Sequence, residues 1–166
     1  MKKLLLLSLL LLMLQACYYE DWYYDPPSAY KPVLMEREVL ENSIKLLPPQ
    51  PIENYGKIYT KDKLLYINEF QRGVHIIDNS NPSSPKALAF ISIPGNVDIS
   101  IKNNIIYADN ATDLVALKYD GANLSEVDRN RNVFPEPGPP DGLRVEDIYS
   151  KQNRPENTII IKWEKR

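Results

Sequence analysis

Ile58-Tyr59-Thr60-Lys61-Asp62-Lys63-Leu64-Leu65-Tyr66 and Ile99-Ser100-Ile101-Lys102-Asn103-Asn104-Ile105-Ile106-Tyr107 are two versions of one phrase, 41 residues apart. Ile, Lys and Tyr recur at matching places. Each phrase has a polar pair at its centre, Asp62-Lys63 or Asn103-Asn104, where a hairpin should turn. A further apolar run follows each: Val74-His75-Ile76-Ile77-Asp78 after the first, Leu114-Val115-Ala116-Leu117-Lys118 after the second. A period of about 40–45 residues with several strands per unit is the spacing of propeller blades. The chain is therefore expected to be all-β and mainly antiparallel, built of partial blades or small stacked sheets.

The surrounding text agrees. From Gly56 onward, short runs rich in Ile, Val and Tyr alternate with Asn, Asp, Gly and Pro turns. Strands are predicted over 57–60, 64–68, 74–78, 87–93, 97–101, 105–109, 114–119 and 158–163. Residues 132–142, Asn-Val-Phe-Pro-Glu-Pro-Gly-Pro-Pro-Asp-Gly, hold too many prolines for a paired strand and read as an extended crossover. Upstream, Met35, Val39, Leu40, Ile44 and Leu47 fall roughly on one helical face, so 34–47 reads as a short helix stopped by Pro48-Pro49. The expected division is 1–16 processing segment, 17–33 tether, 34–49 helix and stop, and 50–166 β domain.

The repeat also carries a resemblance. Val74-His-Ile-Ile-Asp78 runs into Asn-Ser-Asn-Pro82-Ser-Ser-Pro85, which is similar to the LVIVD repeat, a Leu-Val-Ile-Val-Asp strand leading into an Asp-Pro-x-x-Pro turn. Leu114, Val115 and Leu117 form a second, degenerate copy in which Lys118 replaces the aspartate. Over roughly 30–135 the chain resembles the N-terminal part of Bacteroidetes LVIVD-repeat lipoproteins. The resemblance implies a β-propeller-like fold and brings no established catalytic activity. A ring needs at least four blades, and about 110 residues at this period supply fewer than three. The chain is thus expected to stack a few sheets or to complete itself with a partner.

The N-terminus points to a membrane. Lys2 and Lys3 precede an apolar stretch, Leu4 to Leu14, broken only by Ser8. It is shorter than the roughly 20 residues that span a bilayer and has the layout of a secretory signal peptide. Leu14-Gln15-Ala16-Cys17 resembles the lipobox of bacterial lipoproteins. That resemblance implies cleavage between Ala16 and Cys17, a diacylglycerol on the Cys17 thiol, and an acyl chain such as palmitate on the new amine. Cys17 is the single cysteine, so no internal disulfide competes for it. Two or more acyl chains anchor far more firmly than one, at about 0.8 kcal/mol per buried methylene.

Residues 18–33 crowd Tyr18, Tyr19, Trp22, Tyr23, Tyr24 and Tyr30 among Pro26, Pro27 and Pro32. Extended, they reach about 50 Å. Their aromatics suit either a membrane interface or the surface of the domain. Glu20-Asp21, just after the acylated cysteine, is a short match to the surface-export signal of Bacteroidetes lipoproteins. The expected location is the outer membrane, periplasm-facing or surface-exposed.

Composition narrows function. Without the first 16 residues, 18 basic residues face 22 acidic ones, a formal charge of −4. Nucleic-acid binding calls for a basic surface instead. The single histidine, His75, sits inside a strand and reads as a packed residue. Asp78, Asp98, Asp109 and Asp113 are oxygen donors of the kind that hold Ca²⁺. Asp78-Asn-Ser-Asn-Pro is better explained as a turn that bonds its own backbone, and neither a metal nor a cofactor is expected. Tyr66, Phe70, Tyr107 and Trp163 suit a ligand face or cross-strand packing, and packing is preferred. The leading expectation is a non-catalytic, lipid-anchored binding or scaffold module for an envelope protein or glycan. A hydrolase using a carboxylate pair and a subunit that completes a propeller with a partner are the alternatives.

Overall fold

The computed structural model describes residues 26–166. Among these residues eleven strands form three antiparallel sheets, none closed into a barrel. Strands β3 (Tyr55–Lys61), β4 (Leu64–Glu69), β5 (Gly73–Asp78) and β6 (Lys86–Ser92) run up and down as one meander, blade 1. Strands β7 (Ile99–Lys102), β8 (Ile105–Asn110), β9 (Asp113–Tyr119) and β10 (Leu124–Asn130) repeat it as blade 2. A short β2 (Lys45–Leu47) extends blade 1 beyond β6, and β1 (Tyr30–Glu36) pairs with β11 (Thr158–Lys165) as a separate two-stranded layer.

The repeat explains why both halves fold alike. Asn103 and Asn104 both take positive φ, 51° and 61°, as a two-residue hairpin turn matched to strand twist requires. Asp62 does the same at the corresponding turn, with φ 55°. Register follows the offset: Leu64 pairs with Asp78, and Ile105 with Lys118. The second strand of each blade keeps the offset of 41. The third strand shifts to 40, because three residues link β4 to β5 but only two link β8 to β9.

The blades pack face to face. Side chains alternate along a strand, so every second residue meets the neighbouring sheet. Tyr66, Val74, Ile76 and Ile91 of blade 1 close against Ile99, Ile106, Ala108, Val115 and Leu117 of blade 2. This interblade core is the main apolar core, and Ile44 and Leu46 extend it. Of the repeat signature, Val74, Ile76, Val115 and Leu117 are fully buried in it, whereas Ile77 points to the other face of β5. Asp78 ends its strand as a turn former, its Oδ1 accepting the Ser80 N–H at 2.8 Å. Pro82 and Pro85 lie in the link that follows, and Pro85 directly precedes β6.

The N-terminal expectations need correction. Residues 34–47 are not one helix: 34–36 end β1, the helix α1 covers only Arg37–Glu41, and 45–47 form β2. The apolar spacing that suggested one helical face is divided between two cores. Leu40 packs with Val33, Met35, Ile159 and Ile161 in a second cluster, while Ile44 and Leu46 join the interblade core. Pairing of β1 with β11 overrides the local helix preference. For the same reason the last residues of the segment expected as a tether over 17–33 belong to the fold, while 17–25 lie outside the described residues. Tyr30–Val33 are strand, and Ser28 is buried with its hydroxyl bonded to Asp141 at 2.9 Å. The β domain therefore begins near residue 28 rather than 50. Strand β10 was not expected; only Leu124 and Val127 are apolar in it, as suits an edge. Residues 132–142 contain no strand, matching the expected crossover.

Candidate functional site

The outer face of blade 2, turned away from blade 1, carries a groove of about 650 Å³. Alternation along β7, β8 and β9 places Ser100, Tyr107, Asp109 and Leu114 there. The opposite wall is the crossover, with Phe134 and Pro135 to Gly138, together with Ile161 of β11. Three residues hold that wall through hydrogen bonds. The Trp163 indole N–H donates to the Pro137 carbonyl at 2.8 Å, Phe134 N–H donates to Thr112 O at 3.0 Å, and Arg154 grips the Glu136 carboxylate at 2.5 and 3.0 Å.

The acidic groups on the rim are already engaged. Asp109 accepts the Val97 and Asp98 N–H groups at 2.8 Å and the Asn96 amide at 3.0 Å. Burial pushes its carboxyl above the usual range against the pull of these donors. Burial also raises Asp98, but bonds from Lys57, Tyr59 and the Ile99 N–H outweigh it and hold that carboxyl below the usual range. With these acidic groups bonded inside the chain, the remaining free surface of the groove is mostly apolar.

Two buried polar clusters lie elsewhere. Asp113, fully buried, accepts Arg37 at 2.7 Å, Arg129 at 2.9 Å and the Asn132 N–H at 3.1 Å. It ties α1 and the crossover to blade 2. Burial alone would raise its carboxyl, yet Arg37, Asn132 and Arg129 keep it low. At the far side, Glu69 is fully buried, bonded to His75 Nε2, to Arg72 at 2.7 Å and to the Glu53 and Asn54 N–H groups. His75 is buried with its ring 4.6 Å from Phe90, the packed strand residue its sequence position suggests.

The four aspartates singled out as oxygen donors do not converge. Asp78 closes a turn, Asp98 bonds blade 1, Asp109 caps the loop before β7, and Asp113 meets two arginines. Among the described residues, no three of His, Cys, Asp and Glu come together as a metal site would require. Of the four aromatics, Tyr66 and Trp163 are packed, Phe70 is exposed on a turn, and Tyr107 alone lines the groove. Phe134 and the 135–138 wall were missed as site residues. Their proline content marked a crossover, and nothing in the sequence says which sheet a crossover passes. Ala16 and Cys17 lie outside the described residues. Among the described residues, no helix is long and apolar enough to cross a membrane. No protein-family model, curated protein or solved structure matches the chain.

Proposed function

We propose that this chain is an exported lipoprotein, anchored through Cys17, that acts as a non-catalytic docking module. The observation that carries this reading is the outer face of blade 2. Tyr107 there is 37% exposed, whereas Tyr66, its counterpart 41 residues earlier, is 7% exposed because the next blade covers it. A face built to be covered, left open beside an apolar groove, suits a partner surface. The exposed surface of the groove is mostly apolar, so a protein is favoured over a glycan. The LVIVD resemblance supports the same reading, as does the lipobox-like Leu14-Gln15-Ala16-Cys17 for the anchor.

A carboxylate-pair hydrolase is the second reading. The opposed shifts of Asp98 and Asp109 at one groove favour it, since separated acidities mark acid and base roles. Asp109 is poorly placed for it, because both its oxygens accept backbone N–H groups.

The test uses the full chain in intact Gram-negative cells supplied with alkyne-palmitate, with a photo-cross-linking residue at position 107 or, as control, at exposed Val127. The expected result is palmitate labelling that Cys17→Ser abolishes, and a discrete protein adduct from position 107 only. Absence of label would refute the anchor. No adduct, or the same adduct from both positions, would refute the docking face.

A further inference from the structure

The repeat leaves two partly open faces, one on each side of the pair of blades, and they are counterparts of the two faces already joined inside the chain. On blade 1 the buried face holds Tyr59, Tyr66, Val74 and Ile76. Of the corresponding positions of blade 2, Ser100, Tyr107 and Leu114 line the open groove, while Ala116 is buried. On blade 2 the buried face holds Ile99, Ile106, Val115 and Leu117. The corresponding positions of blade 1 are Ile58, Leu65, His75 and Ile77; they lie on its outer face, where His75 is buried against Glu69 and Phe90 and the other three are at least partly exposed. Ile58 is 57% exposed, and its counterpart Ile99 is 3% exposed. Leu65 and Ile77 on the same face are half-buried, whereas Ile67, His75 and Phe90, in the row that Ile58 opens, are buried within the chain.

We infer that the partner of the groove face is a second copy of this chain, presenting the outer face of its blade 1. This rests on the docking reading above and names its partner. The chain contains the template for the contact, because blade 1 and blade 2 already meet through the same two kinds of face. The contact is head-to-tail: the Tyr107 face of one copy meets the Ile58 face of the other. Such contacts either propagate or close on themselves. Two blades per copy make four in a pair, the smallest number at which propellers close. The crossover wall and Ile161 line this groove opposite Ser100, Tyr107 and Leu114. Ser100 and Lys102 of the edge strand β7 are exposed, and the incoming blade meets the face there.

The experiment exploits the cysteine count. Cys17 is the only cysteine, and it is the acylated residue in this reading. Two full-length chains with different tags are made, one carrying Ile58→Cys and one Tyr107→Cys. Both positions are exposed, so folding is not at risk. Cells making either chain, or both, are treated with a short thiol cross-linker. The expected result is a mixed adduct of the two tags, absent when either chain is alone. Adding Leu114→Asp to the Tyr107→Cys chain should remove it. No mixed adduct, or like-with-like adducts in equal yield, overturns the inference. So does a ladder of higher adducts when one chain carries both cysteines, because a closed pair stops at two. If the cross-linker fails while position 107 still captures a different protein, docking stands and the second copy falls. If position 107 captures nothing, both fall.

Discussion

Tyr66 and Tyr107 stand at the same place in two copies of one four-stranded unit, yet one is core and the other is groove. The difference lies in the neighbours. Blade 1 bonds forward: Lys57 and Tyr59 reach Asp98, and the Asn68 amide donates to the Val97 carbonyl at 2.9 Å. At the matching positions blade 2 has Asp98, Ser100 and Asp109. Its Asp109 turns back onto the backbone of its own blade. A repeat therefore specifies a fold for each unit, but the burial of each face depends on what comes next in space.

The two blades are also held at their ends in different ways, and this allows the comparison to be broken. Blade 2 is fixed to α1 and the crossover through Asp113, whereas blade 1 has Gly73 at the corresponding position. Asp113→Ala leaves Arg37 and Arg129 without their shared carboxylate. It should cost about 3–5 kcal/mol in denaturant unfolding, the usual loss on breaking a buried pair. It should also release the 134–138 wall, seen as faster backbone hydrogen exchange there than in blade 1. A loss confined to surface-pair size would mean that the layers are joined mainly by Leu40 and Ile159.

Blade 1 has its own buried acid, Glu69, and substitution read against pH isolates its share. Glu69 keeps a lowered pKa because bonds from His75, Asn54, Glu53 and Arg72 outweigh the cost of burial. For a carboxyl held below its unfolded value, the added stability is fully present above that unfolded value. It is lost as pH falls through the folded value. Glu69→Gln should therefore flatten the acid limb of the stability–pH curve. The slope should decrease by up to one proton's worth, about 1.4 kcal/mol per pH unit. An unchanged slope would show that Asp113 and other carboxylates carry the acid sensitivity.

Much of this architecture was legible in the sequence because it is repeated. The offset of 41, the turn pairs Asp62-Lys63 and Asn103-Asn104, and seven of the eight predicted strands within the two blades and β11 follow closely from local pattern, with β7 displaced toward its C-terminal end. The misses share one cause. Tyr30–Glu36 becomes a strand only because β11, more than 120 residues later, lies beside it, and no local signal reports that pairing. Likewise Tyr107 was recognised as a candidate aromatic, while Phe134 was not, because the groove exists only where the crossover passes blade 2. Asp109 looked like a possible metal ligand from composition. Its position one strand-end away from 97 and 98 makes it a backbone cap instead.

The most direct test compares Ile99→Ala with Ile58→Ala by denaturant unfolding, at concentrations low enough that the midpoint does not depend on concentration. The two residues occupy the same place in the repeat. Ile99→Ala should lose about 2–5 kcal/mol as a buried large-to-small change. Ile58→Ala should stay within about 0.5 kcal/mol, as an exposed change does. Equal losses would contradict the account, because they would mean that the outer face of blade 1 is packed as tightly as the face between the blades.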